Sequence, residues 1–431
     1  MQIQEGGTKL LVPVSSLTDI VPSKNPAFFN RLAKLNRDIS ILAYRSFALG
    51  FLQFKRMQKF SNNEFTGNGS DECHITFADA LSGTGARALR VAVEAPEIAE
   101  VYINDINQVA LEKSKASATI NNVKHKCHFS NHDVNKFLIE HETRDAKRFT
   151  IADLDPFGSP TPYIDSLLRS VRSGGLISVT ATDTAVLAGV HPKVCLRKYF
   201  GIPINNGFSN ETGIRILLSL ISKEAARFEF IIIPVFVHAN MHYLRVYLTV
   251  ERSSSKANTA YKNLGFLQYC FKCGDRKAVS SNSNAAQTGV TAEQCKHCTD
   301  GLYSVGGPMW LSNMFDKEFV KRMNALKPMN LNSKTTASLN YSRKHTEIDS
   351  QGSTRNDPVQ RILDIAITEL DSIPYYFRSD EISSYMRLNP LPIASILERL
   401  NSAGFNASRT SLNPTAFKTN ANLSEIIEIL R

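Results

Sequence analysis

Asp155, Pro156 and Phe157 follow one another at the end of an apolar run from Phe149 to Leu154, and Gly158 comes next. The run reads as a buried strand. Proline cannot continue a central strand, and glycine marks a turn. A carboxylate, a fixed carbonyl and an aromatic ring are therefore delivered together where a strand ends, which in open α/β sheets is where ligands bind. The acid and a backbone C=O accept hydrogen bonds from an exocyclic amino group, and the ring stacks on a planar base. The chemistry this suits is reaction at the amino group of a nucleobase. The plainer alternative is a strand end, a turn and a core phenylalanine.

A second set of residues has metal-ligand spacing. Cys270-Phe-Lys-Cys273 and Cys295-Lys-His-Cys298 enclose 21 residues read as a Ser/Asn/Ala-rich loop. Two Cys-x-x-Cys pairs at this distance form a four-thiolate zinc pattern, closed and structural because no coordination position is left open. His297 reads as exposed or supporting, not as a ligand. Cys73, Cys127 and Cys195 are scattered and read as plain buried thiols. Nothing in this usage points to an oxidising compartment.

The elements that must position the first set alternate between strand and helix. Ile75 to Ala80 is an apolar strand ending in acid, followed by Gly83-Thr-Gly85 and a helix from Ala86. Glycines there let the backbone approach a ligand at a helix N-terminus. A second strand, Val101 to Asn104, ends at Asp105, 20 residues after Gly85. That is the distance at which a carboxylate takes ribose hydroxyls; the alternative for Asp105 is an N-cap of the helix from Asn107 to Asn122. No third glycine follows, which favours S-adenosylmethionine over a dinucleotide. Cys127 to Phe129 begins a third strand, and Asp133 beyond it is placed either to meet an adenine amino group or simply to make a turn. Leu176 to Thr180 is a further strand, and Glu211 to Arg227 an amphipathic helix. Two apolar runs, Phe228 to Val237 and Tyr243 to Val250, are joined so closely that they must pair antiparallel. The expected fold class is α/β, a Rossmann-like sheet of seven strands closing on an antiparallel hairpin. His238 and His242 read as loop histidines at its tip. Arg37 and Asp38, on a helix from Leu32 to Phe47, read as a surface ion pair, and residues 56–73 as a loop.

At 431 residues more than one domain is expected. Residues 1–260 carry the pattern above, and residues 261–431 form a smaller C-terminal α+β domain, with the zinc knuckle at about 268–300. Residues 330–358, rich in Asn, Ser, Thr and Lys, read as a linker. A helix from Val359 to Leu370, two shorter helices with Gly404 as a C-cap, and a stretch from Phe405 to Phe417 with Arg409, Thr410 and Lys418 give a winged-helix outline; a helical packing domain is the alternative. Lys and Arg exceed Asp and Glu by 50 to 40, which favours a polyanionic partner. No apolar run is long enough to span a membrane, and the N-terminal residues lack the pattern of a secretory signal. An intracellular protein, nuclear or cytoplasmic, and a monomer, is expected.

The Asp-Pro-Phe triplet resembles the Asp/Asn-Pro-Pro-Tyr/Phe motif of methyltransferases acting on base amino groups. In order along the chain, Glu5-Gly-Gly-Thr-Lys9, Asn36-Arg37-Asp38-Ile39, Asp79-Ala-Leu-Ser-Gly-Thr-Gly-Ala-Arg87, Asn104-Asp105-Ile106, Asp153-Leu-Asp155-Pro-Phe-Gly-Ser-Pro160, Thr180-Ala-Thr-Asp183 and His191-Pro-Lys-Val-Cys-Leu-Arg-Lys-Tyr199 are similar to the tRNA (guanine(26)-N2)-dimethyltransferases. The resemblance implies a class I methyltransferase fold that uses S-adenosylmethionine to place one or two methyl groups on N2 of guanosine 26 of tRNA. It implies that Arg37, Arg87, Asp105, Asp133 and Val134 hold the cofactor beside the Gly83–Gly85 turn. Asp155 would be catalytic with Pro156, Phe157 and Phe28 would hold the guanine, and the C-terminal domain would grip the tRNA. Two other readings remain: an amino-methyltransferase acting on DNA or other RNA, and a non-catalytic RNA-binding protein on the same fold.

Overall fold

The chain carries a main sheet built from five parallel strands and one antiparallel hairpin. In the computed structural model the residues described are 1–19, 25–61, 74–142, 148–240, 242–281, 293–327 and 357–431. An N-terminal hairpin, β1 (Gln2–Glu5) and β2 (Thr8–Leu11), comes first. The main sheet contains β3 (Thr76–Asp79), β4 (Glu100–Asn104), β5 (Cys127–Ser130), β6 (Phe149–Leu154), β7 (Val171–Ala181), β8 (Phe230–Asn240) and β9 (Tyr243–Arg252). Its order is β5-β4-β3-β6-β7-β9-β8, with β9 antiparallel to both neighbours. Parallel strands covered on both faces become continuous apolar runs, and all six residues of β6 are buried. The strand order reverses between β3 and β6, the position at which such sheets open a crevice at their carboxyl ends. The α/β, Rossmann-like class expected from the alternation is the class observed.

The helices used below are α1 (Lys34–Ser61), α2 (Ala86–Glu94), α3 (Gln108–Ile120), α4 (Val134–Ile139), α5 (Ile164–Ser170), α6 (Pro192–Tyr199) and α7 (Ser209–Arg227). α1 corrects one expectation: Arg56 to Ser61 continue the helix instead of starting a loop, while residues 62–73 lie outside the described residues. Arg37 and Asp38 do not form a surface pair either. Arg37 is buried and pairs with Glu5 of β1, and Asp38 pairs with Lys34 and Arg90.

Beyond residue 260 a small sheet places β10 (Leu264–Cys270) between β11 (Arg276–Ser280) and β12 (Tyr303–Trp310). β11 lies inside the stretch read from sequence as loop, so that expectation is corrected. Then come α8 (Lys317–Ala325), α9 (Pro358–Thr368), β13 (Phe377–Arg378), α10 (Ser379–Met386), α11 (Ile393–Ser402), β14 (Ala407–Thr410), β15 (Asn413–Thr419) and α12 (Leu423–Leu430). The expected linker at 330–358 falls almost wholly outside the described residues. One buried apolar cluster runs from Leu10 through Trp310 and Phe319 to Ala416, so the main core continues past residue 260. A second cluster, from Phe377 to Leu430, fills the C-terminal end. Lys418, read as part of a wing, lies on β15, fully buried, and bonds Glu211 of α7 at 2.7 Å and Glu369 at 3.1 Å. Among the described residues no helix is long and apolar enough to cross a membrane.

Candidate active site

A cavity of about 550 Å³ opens at the carboxyl ends of β3, β4, β6 and β7. Phe28, Arg37, Gly83, Arg87, Asp105, Asp155, Pro156 and Phe157 all line it. Its floor is a buried charge network. Asp153, fully buried on β6, is bound by Arg87 of α2 and Arg245 of β9, and accepts hydrogen bonds from Tyr44 Oη (2.9 Å) and Ser178 Oγ (2.6 Å). Burial alone would raise its carboxyl, but Arg245 and Arg87 bring it down to about 2. Two residues further on, Asp155 lies on the same side of the chain direction and is about one quarter exposed. Arg87 donates to its Oδ2 at 2.6 Å, and Arg245 stands 3.9 Å from that oxygen. Oδ1 has no hydrogen-bond partner among the described residues. Asn36 Oδ1 accepts from Arg87 at 3.0 Å, fixing the guanidinium between the two acids.

Asp79, at the end of β3, completes the floor. Burial and the neighbouring Asp153 push its carboxyl up to about 8, against the pull of Arg87. Three buried atoms of lining residues have no hydrogen-bond partner: Asp79 Oδ1, Ser82 Oγ and Arg87 Nε. Buried polar atoms are rarely left so. An acceptor and a cationic donor left open beside each other match the ammonium and carboxylate of an amino-acid end.

The remaining cofactor candidates divide. Asp105 accepts from the Gly83 N–H at 2.7 Å and the Asn107 N–H at 2.8 Å, bracing the glycine turn. The N-cap of α3 is Asn107, not Asp105. Gly85 does not line the cavity. It sits at φ +77° as the N-cap of α2, and a Cβ there would come within 2.0 Å of Ser114 Oγ on α3, so its part is to let two helices meet. Asp133 and Val134 also lie off the lining: Asp133 caps α4 through the Asn135 and Lys136 N–H groups, and Val134 is in the core. Arg37 has its Nε and both terminal nitrogens bonded, to Glu5 and to the Asn30 carbonyl. Burial would raise the Glu5 carboxyl, but Arg37 and Arg90 hold it below the ordinary value. Arg37 thus ties down the segment that carries Phe28.

The aromatic part is assembled from two segments. Phe28 meets Phe157 edge to face, ring centroids 4.7 Å apart, and Phe157 is 55% exposed. The loop bearing Phe157 is held at both ends. Gly158 N–H donates to Thr182 Oγ1 (2.6 Å), its carbonyl accepts from Thr182 N–H (2.9 Å), and Ser159 Oγ bonds Tyr199 Oη (2.9 Å), which itself donates to Asp183 (2.5 Å). His242 and Tyr243 reach the rim. His238 is not a loop histidine: it is buried in β8, bonded to Tyr243 Oη at 2.9 Å, and burial with the Arg245 charge lowers it to about 3. The reading of the sequence missed Asp79, Tyr44 and Arg245. For Arg245 a signal existed, a lone cation inside an apolar run.

The four cysteines come together as expected. Cys270, Cys273, Cys295 and Cys298 bring their sulfurs within 4.8 Å of one another. A Cβ at residue 301 would stand 2.7 Å from Cys270 Sγ, so glycine is required at that approach. Four thiols at one point are the donor set of a tetrahedral thiolate site.

Comparison with known proteins agrees with this geometry. Residues 6–431 match the profile of the family described as N2,N2-dimethylguanosine tRNA methyltransferase. The chain belongs to that family. It is 30% identical over 428 residues to the tRNA (guanine(26)-N(2))-dimethyltransferase of Methanothermobacter thermautotrophicus, covering 99% of this chain and 98% of the relative. The corresponding protein of Methanosarcina mazei is 33% identical over 429 residues, covering 99% and 97%. A relative from Aquifex aeolicus, 29% identical over 428 residues with 99% and 94% covered, is named for both guanine 26 and guanine 27. The solved structure of Trm1 from Pyrococcus horikoshii with S-adenosyl-L-methionine superposes with a TM-score of 0.74 at 26% identity, covering 100% of this chain and 99% of that one.

Proposed function

We infer that this family member transfers one or two methyl groups from S-adenosyl-L-methionine to N2 of guanosine 26 in tRNA, with Asp155 as the group that takes the reacting amine. The observation that carries the assignment of Asp155 is its divided carboxylate. Oδ2 is held by Arg87, while Oδ1 has no hydrogen-bond partner among the described residues, and Asp155 lines the cavity together with Pro156 and Phe157. The lone pair of a guanine amino group is delocalised into the ring, so the amine is a poor nucleophile. Asp155 Oδ1 and the Pro156 carbonyl accept its N–H hydrogens, aim the lone pair and favour the positive charge that develops on nitrogen. Phe157 and Phe28 fix the plane of the base. Arg87 orients Asp155, and Asp153, itself paired with Arg245, holds Arg87 from below. When bound, S-adenosyl-L-methionine supplies an electrophilic methyl group. The open Asp79 Oδ1 and Arg87 Nε fit its amino-acid end, and Asp105 is placed for its ribose. Much of the rate then comes from positioning, at the cost of displacing the base from its stack, a few kcal/mol.

The four cysteines are assigned a structural zinc ion, and residues 357–431 a winged-helix role in holding the tRNA. The order helix, strand, two helices and two strands supports the second assignment. Metal analysis of the purified protein is expected to give one zinc per chain; none would remove the zinc assignment. The function is tested with labelled cofactor and two unmodified tRNA transcripts, one with guanosine and one with adenosine at position 26. Label in the first alone is expected. Label in neither, with cofactor bound, would mean that the substrate is another nucleic acid.

A further inference from the structure

We propose that the exposed face of α6, with Phe200 at its end, is the surface on which the RNA backbone beside the target guanosine docks. This rests on the tRNA-methylation reading above and names part of how that substrate is held. The string from His191 to Tyr199 belongs to the family likeness, yet none of it lines the cavity. Its two sides differ. Cys195 and Tyr199 are buried, while Lys193, Leu196, Arg197 and Phe200 are exposed at helical spacing, on one face. Lys193 and Arg197 have no ion-pair or hydrogen-bond partner among the described residues. From Thr184 to Asn210 the chain contains no acid, so nothing on this segment neutralises them.

Phe200 is the second observation. It closes α6 in the left-handed conformation, φ +51°, where glycine is usual and a bulky side chain is disfavoured. Its N–H bonds the Leu196 carbonyl at 3.0 Å, a task glycine would perform equally. The phenyl ring does not serve the core: the residue is 60% exposed, with Lys223 Nζ 5.9 Å over the ring. Two open cations next to an exposed ring are the combination that holds a nucleic-acid strand, phosphates on the cations and a base or ribose on the aromatic face. The helix is also coupled to the chemistry. Tyr199 bonds Ser159 of the loop that carries Phe157, and Lys198 reaches Asp183, next to the lining residue Thr182. A phosphate fixed on α6 is thereby placed in register with the base pocket.

The test is tRNA binding by the full chain across a salt series. Lys193→Ala/Arg197→Ala is expected to weaken affinity by about tenfold at physiological salt and to reduce the slope of log Kd against log salt by about two. Cofactor affinity and Tm should stay unchanged, since both side chains are exposed. Lys124→Ala, an exposed cation just before the edge strand β5, should lower the slope by less. Phe200→Gly should keep or raise Tm while weakening tRNA binding several-fold with the salt slope intact. Wild-type affinity and slope in the double variant, or wild-type affinity in Phe200→Gly, would overturn the proposal while leaving the methyltransferase reading in place. A wild-type protein that binds cofactor but methylates no tRNA would overturn both.

Discussion

Two buried charge clusters in this molecule have the same composition and different fates. Beneath the cavity, Asp79, Asp153 and Asp155 face Arg87 and Arg245; at the junction of α7 with the C-terminal part, Glu211, Glu369 and Asp371 face Arg215 and Lys418. Each is three carboxylates against two cations. Unsatisfied atoms do not tell them apart, because Asp79 Oδ1 in the first is matched by Glu211 Oε2 and Asp371 Oδ1 in the second. The difference is the opening. All five groups of the second cluster are at most 5% exposed, and Asp371 is tied to the Met314 and Phe315 N–H groups. In the first, Asp155 lines the cavity with one oxygen unbonded among the described residues. Buried charge alone is a structural statement, and one that contributes little net stability over apolar packing. A buried network that delivers one carboxylate to a pocket is a site.

That comparison can be broken by experiment. The largest expected effect is from Lys418→Ala, which leaves the buried Glu369 without its cation and Glu211 with Arg215 alone, and should cost about 3–5 kcal/mol of stability. Denaturant unfolding measures it, and transfer rate per folded molecule should be unchanged. A loss of rate without a loss of stability would make this cluster functional as well. Arg245→Met should cost stability on a similar scale, about 3–5 kcal/mol, because Asp153 stays buried. It should also lower the transfer rate, since Asp153, which holds Arg87, loses one of its two cations. Unchanged rate would confine the first cluster to a structural role. The smallest effect concerns pH. Asp79 is raised from 3.8 to about 8, so its contribution to stability is complete below the lower value and lost as pH rises through the upper one. Tm of the cofactor-free protein should fall between about pH 5 and pH 8.5, and Asp79→Asn should flatten that slope. Equal slopes in the two proteins would show that Asp79 does not titrate there.

Legibility in the sequence followed the range of the interactions. The main sheet was readable because β3, β4 and β6 are largely apolar runs that stop at or just before an acid, a local signal. The motif residues Asp155, Pro156 and Phe157 were readable for the same reason, being adjacent. Arg245 was not, because its partner Asp153 is 92 residues away and meets it only through the order β6-β7-β9. Arg37 was misread as a surface cation because its partner Glu5 lies 32 residues upstream on another element. The burial of Lys418 was not readable, since nothing near it in sequence shows the Glu211 it pairs with. β11 was hidden in a polar stretch because the inward residue at its start is a charged one, Arg276, whose partners Gly274, Tyr376 and Glu381 and stacking rings Phe208 and Phe377 meet it only in the fold. The family likeness carried function further than the residues alone. It also put Asp133, Val134 and Gly85 at the cofactor, whereas the cavity lining leaves them out.

The most direct test of the central claim is single-turnover methyl transfer to an unmodified tRNA transcript by Asp155→Ala, measured beside cofactor affinity and Tm. Loss of about 2–4 kcal/mol of transition-state stabilisation is expected, with cofactor binding kept and Tm little changed, as befits a carboxylate at the open edge of its cluster. Near-normal transfer, or a loss explained entirely by unfolding, would contradict the account.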